Sequence, residues 1–273
     1  MKNRILNGLS VCSICIASAL PSSAWALGDL LVAPTRVVMA DNTGAEVILN
    51  NKGRESATYR VSLVIKKMLP DGQLEDVVEP SAEQQQALSI ISYAPRKVVL
   101  APGQSQTVRL GAHAPIDLPD GEYRVHMLFR AIPDADPAAR DVNAQASGLS
   151  IMLTPVYGVS IPVITRKGEL EAQAKIENIR VERDRGRATL LFDLARSGNR
   201  SISGTVLVSK AGSADPLAEV KGVSAYREVD RRTVAIDLGD RASAQLKGLV
   251  TVSFREDSGS TSAPVITEAR ASL

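Results

Sequence analysis

The chain has 273 residues, of which 32 are basic and 30 acidic, with three Phe, five Tyr and one Trp. Such a balance excludes a strong nucleic-acid footprint and a polybasic membrane patch. So few aromatic residues also argue against a sugar-binding or base-stacking platform.

The first segment reads as a secretory leader, residues 1–26. Lys2 and Arg4 give a positive start, and the apolar run Ile5 to Leu20 is too short and interrupted for a membrane span. Ala24 and Ala26 in "SSAWA" form the small-residue cleavage pattern, which points to cleavage after Ala26. The alternatives fit less well. An uncleaved anchor lacks a stop-transfer pattern, and a lipoprotein needs a small residue where Val11 precedes Cys12. Cleavage removes both cysteines, Cys12 and Cys15, together with Trp25, Lys2 and Arg4. The expected mature protein is exported, free of cysteine and close to neutral, with no membrane span and no thiolate metal ligand.

The rest reads as strands and turns. "DLLVAPTRVVMA" is a first strand, bent or switched at Pro34, and "AEVILNN" follows the turn "DNTG". "ATYRVSLVIKKML" alternates over Tyr59, Val61, Leu63 and Ile65 and ends in "PDG", where Pro70 sets φ and Gly72 allows a positive φ. "EPSAEQQQALSIISY" is read either as a short helix from Ser81 to Leu88, capped by Ser81, or as a long insert between strands. "RKVVLAPGQSQTVRLGA" gives two strands around Pro102 and Gly103. "GEYRVHMLFRAIP" alternates over Tyr123, Val125, Met127 and Phe129, with His126 pointing the other way. "DADPAARDVNAQAS" has the composition of a mobile loop. In "GLSIMLTPVYGVSIPVI", Leu149, Ile151 and Leu153 form one apolar face before Pro155 interrupts the ladder.

After "TRKGELEAQ" the pattern restarts. "KIENIRVER" and "RATLLFDLAR" flank the turn "DRG", a turn and strand follow in "SGNRSISGTVLVSK", and further strands lie in "AEVKGVSAYREVDRRTVAIDLG", "LKGLVTVSFRED" and "SAPVITEARASL". Short strands spaced near ten residues, with Gly and Pro turns, indicate an all-β chain of two immunoglobulin-like sandwiches in tandem. The expected domains are 27–165 and 166–273.

Motifs for catalysis are missing. The two histidines, His113 and His126, lie in unrelated segments, and there is no HExxH, P-loop, dinucleotide Gly pattern, GxSxG or SxxK. Asp134 and Asp136 in "DADP" lack the remaining spacing of a calcium loop. No metal, cofactor or enzymatic activity is expected, and the class indicated is a binding or structural protein.

Four stretches in order go further: "APTRVVM" with Arg36, "LAPGQSQTVRL" with Arg109, "GEYRVHMLFRAIP" with Glu122, and "LSIMLTPVYGVSIPV". Together they resemble the periplasmic pilus chaperones of the chaperone–usher pathway, over most of residues 29–165. The resemblance implies a periplasmic protein that captures exported pilus or fimbrial subunits and passes them to an outer-membrane usher. It implies that Leu149, Ile151 and Leu153 are lent to a subunit lacking its last strand, by strand addition. Arg36 then matches a base that holds the subunit's C-terminal carboxylate, while the family's second base, a lysine, falls on Gly158. Arg60, Arg166 and Lys167 are the candidate substitutes. Arg109 and Glu122 match an ion pair near the domain interface. The rival readings are a structural or adhesive surface protein, a chaperone-like accessory protein with a non-pilus client, and a hydrolase on a β-sandwich, which no motif supports.

Overall fold

At Pro34 the chain crosses from one sheet to another. The computed structural model describes residues 30–133, 156–210, 213, 215–239, 248–257 and 265–273. The expected leader and the triplet Leu149, Ile151 and Leu153, with Pro155, lie outside the described residues.

The first part of the chain forms β1 (Leu30–Ala33), β2 (Val37–Ala40), β3 (Gly44–Asn51), β4 (Ala57–Val64), β5 (Lys66–Met68), β6 (Leu74–Asp76), α1 (Ala82–Ile90), β7 (Ile91–Ala94), β8 (Lys97–Leu100), β9 (Ser105–Ala112), β10 (Gly121–Ile132) and β11 (Gly158–Lys167). One sheet has the order β1-β3-β9-β7 and the facing sheet β2-β11-β10-β4-β8. β1 runs antiparallel to β3, whereas β2 runs parallel to β11, with Val37 opposite Val163. A proline gives no N–H to a ladder, so the strand breaks at Pro34 and its two halves serve different sheets. This is the strand order of an immunoglobulin-like sandwich.

Alternation decides what lies between the sheets. Tyr123, Val125, Met127 and Phe129 of β10 face inward and are buried with Val47 and Leu49 of β3, Val108 of β9 and Ile161 and Val163 of β11. Burying each large apolar side chain contributes about 1.5–3 kcal/mol. Phe129 is fully buried, and Phe129→Ala is the kind of change that costs about 3–5 kcal/mol. At the foot of β10 the Tyr123 hydroxyl donates to Pro119 O at 2.6 Å, the corner that pins the entry to this strand in many sandwiches.

The uncertain segment holds both a helix and a strand. Ser81 caps α1 with a capping box: its Oγ accepts from Gln84 N at 3.3 Å, and Gln84 Oε1 accepts from Ser81 N at 2.9 Å. Helix α1 buries Ala87 and Ile90, then passes directly into the edge strand β7. No Gly or Pro stands at the junction, so the start of β7 carries no mark in the sequence, and only Pro95 marks its end.

Beyond Lys167 the second sandwich contains β12 (Ala172–Asp184), β13 (Arg187–Gly198), β14 (Ile202–Lys210), β15 (Ala218–Ala225), β16 (Arg231–Asp237), β17 (Leu249–Glu256) and β18 (Val265–Ser272). Its sheets run β12-β13-β16 and β15-β14-β17-β18. Arg185 and Gly186, at φ 47° and 86°, make the two-residue turn between β12 and β13. Leu190, Phe192, Leu194, Val206, Val208, Val252 and Phe254 fill the core.

The β5–β6 hairpin belongs to the first sandwich by sequence but reaches the second. Met68 packs in the second core, and its amide donates to Glu228 Oε1 at 2.8 Å. Thr233 N donates to Pro70 O at 2.7 Å beside the turn at Gly72. The two sandwiches are therefore joined by this hairpin as well as by the strand that links them.

Candidate functional site

The site is built on β11. Along one side, β11 pairs with β10 from Gly121 opposite Lys167 to Arg130 opposite Gly158. Along its other side, β2 covers only Val163 to Arg166. Over Gly158–Pro162 no strand among the described residues lies on that side. Pro162, which has no N–H to donate, sits where an edge tolerates it. Val156, Tyr157 and Val159, beside this open stretch, are exposed. An open edge with apolar side chains next to it is a ready template for another strand.

The outer face of the same sheet looks into the cleft between the sandwiches. Val37 and Met39 of β2 are buried in the first core, so Arg36 lies on the opposite, cleft side. Its guanidinium donates to Ser224 Oγ of the second sandwich and lies 5.9 Å from the centre of the Tyr226 ring. It has no carboxylate partner among the described residues. Arg124, between the core-facing Tyr123 and Val125, does have one: it pairs with Glu228, donates to Lys66 O at 2.9 Å and stacks 3.7 Å over Tyr226.

His126 points out of its sheet as its alternation indicates, yet it is only 1% exposed because the second sandwich covers it. Its ring meets Tyr226 edge-on at 6.3 Å, and neither ring nitrogen has a hydrogen-bond partner. Burial, reinforced by the charges of Arg124, Lys66 and Arg36, pushes its pKa down to about 3. The imidazole is neutral in the folded protein.

The expected pair of Arg109 with Glu122 does not form. Arg109 on β9 stands opposite Glu46 on β3 and pairs with it at 3.1 Å, both side chains being largely exposed. The two residues face away from the cleft, on the other sheet. Glu122 instead pairs with Arg166 at 3.0 Å, the residue opposite it on β11. Glu122 Oε1 also accepts Ser201 N at 3.1 Å, and its own carbonyl accepts from Arg227 at 2.8 Å. The ion pair lies within the first sandwich, with Arg166 as its base, and reaches the second through Ser201 and Arg227. The signal was the antiparallel register of β10 and β11, which sequence spacing does not reveal.

The candidate substitutes for a base at Gly158 are differently committed, and Arg166 and Lys167 lie at the far end of β11 from it. Arg166 is engaged by Glu122, and Lys167 Nζ donates to Pro115 O, Ile116 O and Leu118 O at 2.9, 3.0 and 2.6 Å. Arg60 is exposed on β4, opposite Arg130. Arg130, not singled out by sequence, is the direct cross-strand neighbour of Gly158.

A cavity of about 420 Å³ lies between α1, the β5–β6 hairpin and the second sandwich, lined by Lys66, Glu83, Tyr123, Arg124, Arg227 and Glu228. Its charges largely neutralise one another: Arg124 meets Glu228, and Arg227 approaches Glu83 at 3.9 Å. Among the described residues no cluster of His, Cys, Asp and Glu is placed to hold a metal ion. No helix among them is long and apolar enough to cross a membrane.

No protein-family model and no curated protein sequence matches the chain. Among solved structures it is similar to the complex of the Salmonella enterica SafA pilin with the SafB chaperone, at 14% identity over 92% of this chain and 99% of that one, with a TM-score of 0.45. It is similar to the E. coli chaperone DraB at 14% identity over 90% of this chain and 97% of that one, TM-score 0.43. The Pseudomonas aeruginosa CupB2 chaperone is similar at 12% identity over 89% of this chain and all of that one (100%), TM-score 0.42.

Proposed function

We propose that this protein is a periplasmic, non-enzymatic chaperone that lends a strand to exported pilus or fimbrial subunits and delivers them to an outer-membrane usher. The observation that carries the reading is the edge of β11 over Gly158–Pro162, which no strand among the described residues covers, since β2 pairs only with Val163–Arg166. A strand laid along it gains ladder hydrogen bonds, while alternate side chains upstream in the same segment enter the client's open core. Leu149, Ile151 and Leu153 are those side chains. Arg36, a cleft guanidinium with no carboxylate partner among the described residues, supplies a base for the client's C-terminal carboxylate. Residues 1–26 act as the leader, 27–165 as the lending domain and 166–273 as the second wall of the cleft.

Neither Gly158 nor Pro162, the position on β11 nearest Arg36, carries a charge. That favours, as second reading, an accessory chaperone whose client is not a pilus subunit. A tagged pull-down from the periplasm of the host, analysed by mass spectrometry, tests both. Equimolar recovery of a small exported β protein, lost with Ile151→Asp while the variant melts normally, is the expected result, and the client's identity separates the readings. A client whose capture ignores both Ile151→Asp and Arg36→Ala would overturn the lending mechanism. If Ile151→Asp instead unfolds the first sandwich, Ile151 is core and not a lent side chain.

A further inference from the structure

Far from the cleft, the outer face of the β11 sheet carries charge of one sign. Arg130 stands opposite Gly158 on one flank and opposite Arg60 on the other, and Arg60 stands opposite Lys97. Residues paired across antiparallel strands share a face, with strands about 4.8 Å apart. Phe129, Val61 and Val98, their sequence neighbours, are buried in the core, so Arg130, Arg60 and Lys97 point outward, and each is exposed. Like charges side by side on a sheet repel.

None of the three meets a carboxylate among the described residues. Other cations on this half of the molecule do: Lys66 meets Asp76, Arg124 meets Glu228 and Arg166 meets Glu122. The row also ends at the open edge, with Gly158 as its last member. Glycine puts no side chain between that edge and Arg130. A Cβ at Gly158 would lie 3.3 Å from Leu128 Cδ1 and 3.4 Å from Phe129 O, so a side chain there would crowd Leu128. A residue on a strand added opposite Gly158 would stand two strand spacings from Arg130, about 10 Å. A glutamate and an arginine side chain together close that gap.

We propose that Lys97, Arg60 and Arg130 form a carboxylate-recognition row, and that the polypeptide docked on β11 carries an acidic side chain level with Gly158. The inference rests on the strand-lending reading and adds the partner's chemistry and register. The open ladder, with Tyr157 and Val159 exposed beside it, favours a polypeptide over a phosphate-bearing lipid surface, which has no strand to pair.

The test uses fluorescein-labelled peptides of alternating Val and Thr, with a single Glu moved through the Thr positions and an all-Thr peptide as reference. Anisotropy at low salt is measured with the full secreted chain and with its Arg60→Gln/Arg130→Gln variant, whose melt is checked by circular dichroism. One Glu position is expected to bind about fivefold tighter than the reference, with the gain absent from the variant and the reference affinity unchanged. Equal affinity for every peptide would overturn the row and leave edge pairing standing. Failure of all peptides to bind would overturn both. Phosphatidylglycerol vesicles that bind the wild type and release the variant, with no Glu preference among peptides, would assign the row to a lipid surface instead.

Discussion

Glu122 and Arg166 stand directly opposite one another on β10 and β11 and form a 3.0 Å ion pair whose carboxylate also accepts the Ser201 amide of the second sandwich. The Glu122 side chain is 2% exposed and that of Arg166 30%. Removing the carboxylate leaves a partly buried guanidinium and a buried amide without it. Glu122→Ala is therefore expected to destabilise the protein by about 3 kcal/mol. Arg109→Ala breaks only an exposed pair with Glu46 and should change stability by under about 0.5 kcal/mol. Urea unfolding followed by circular dichroism checks both. Equal losses would mean that Glu122 does not couple the sandwiches.

Reading the two arginines from sequence shows where local pattern stops. Alternation places Tyr123, Val125, Met127 and Phe129 inward because a strand has a period of two, and the structure buries all of them. Pro34 and Gly72 mark a strand switch and a turn through backbone chemistry that acts within a few residues. Ser81 is legible as a cap for the same reason. The partner of Glu122 lies 44 residues away, set by a register that depends on the whole ladder. His126 is half legible: its direction follows from alternation, its burial from a second sandwich that no local window contains. The row at Arg130 is of the same kind, since it joins residues of β4, β8 and β10.

Lys167 ties the end of β11 to the loop before β10. Its ammonium donates to the carbonyls of Pro115, Ile116 and Leu118. Hydrogen bonds to a charged group each contribute about 1.5–3 kcal/mol, less where solvent reaches them. Lys167→Met keeps the apolar stem and removes the donors, so a loss of about 2 kcal/mol is expected. Limited proteolysis should then cut first between Pro115 and Leu118. A variant as stable and as resistant as the wild type would reduce the latch to a surface contact.

His126 makes the seam sensitive to acid. Its pKa of about 3 when folded compares with about 6.5 when unfolded. Between those values the unfolded chain binds a proton that the folded chain does not. Stability is thus retained above about pH 6.5 and lost as pH falls toward about 3, at up to about 1.4 kcal/mol per pH unit. Arg124, Lys66 and Arg36 deepen the effect, and Asp76 opposes it. Between pH 7.5 and 4.5 the wild type should lose up to about 2.7 kcal/mol more than His126→Leu, read from urea midpoints at the two pH values. Identical losses would mean that the ring takes up its proton without opening the cleft.

Arg36 separates binding from folding more cleanly than any residue of the ion-pair network. Among the described residues its partners are a serine hydroxyl and an aromatic ring, so no carboxylate is stranded when it is removed. Arg36→Ala should therefore cost only about 1 kcal/mol of stability, within reach of a thermal melt. Truncating one side of a desolvated charge pair in a complex costs about 2–5 kcal/mol, so client affinity should fall by at least about thirtyfold. Arg36→Lys keeps the charge and loses the planar fork, and should recover only part of the affinity. Surface plasmon resonance with the client recovered from the periplasm measures all three proteins. Full affinity in Arg36→Ala would remove the carboxylate anchor and leave the edge of β11 as the whole of the binding site.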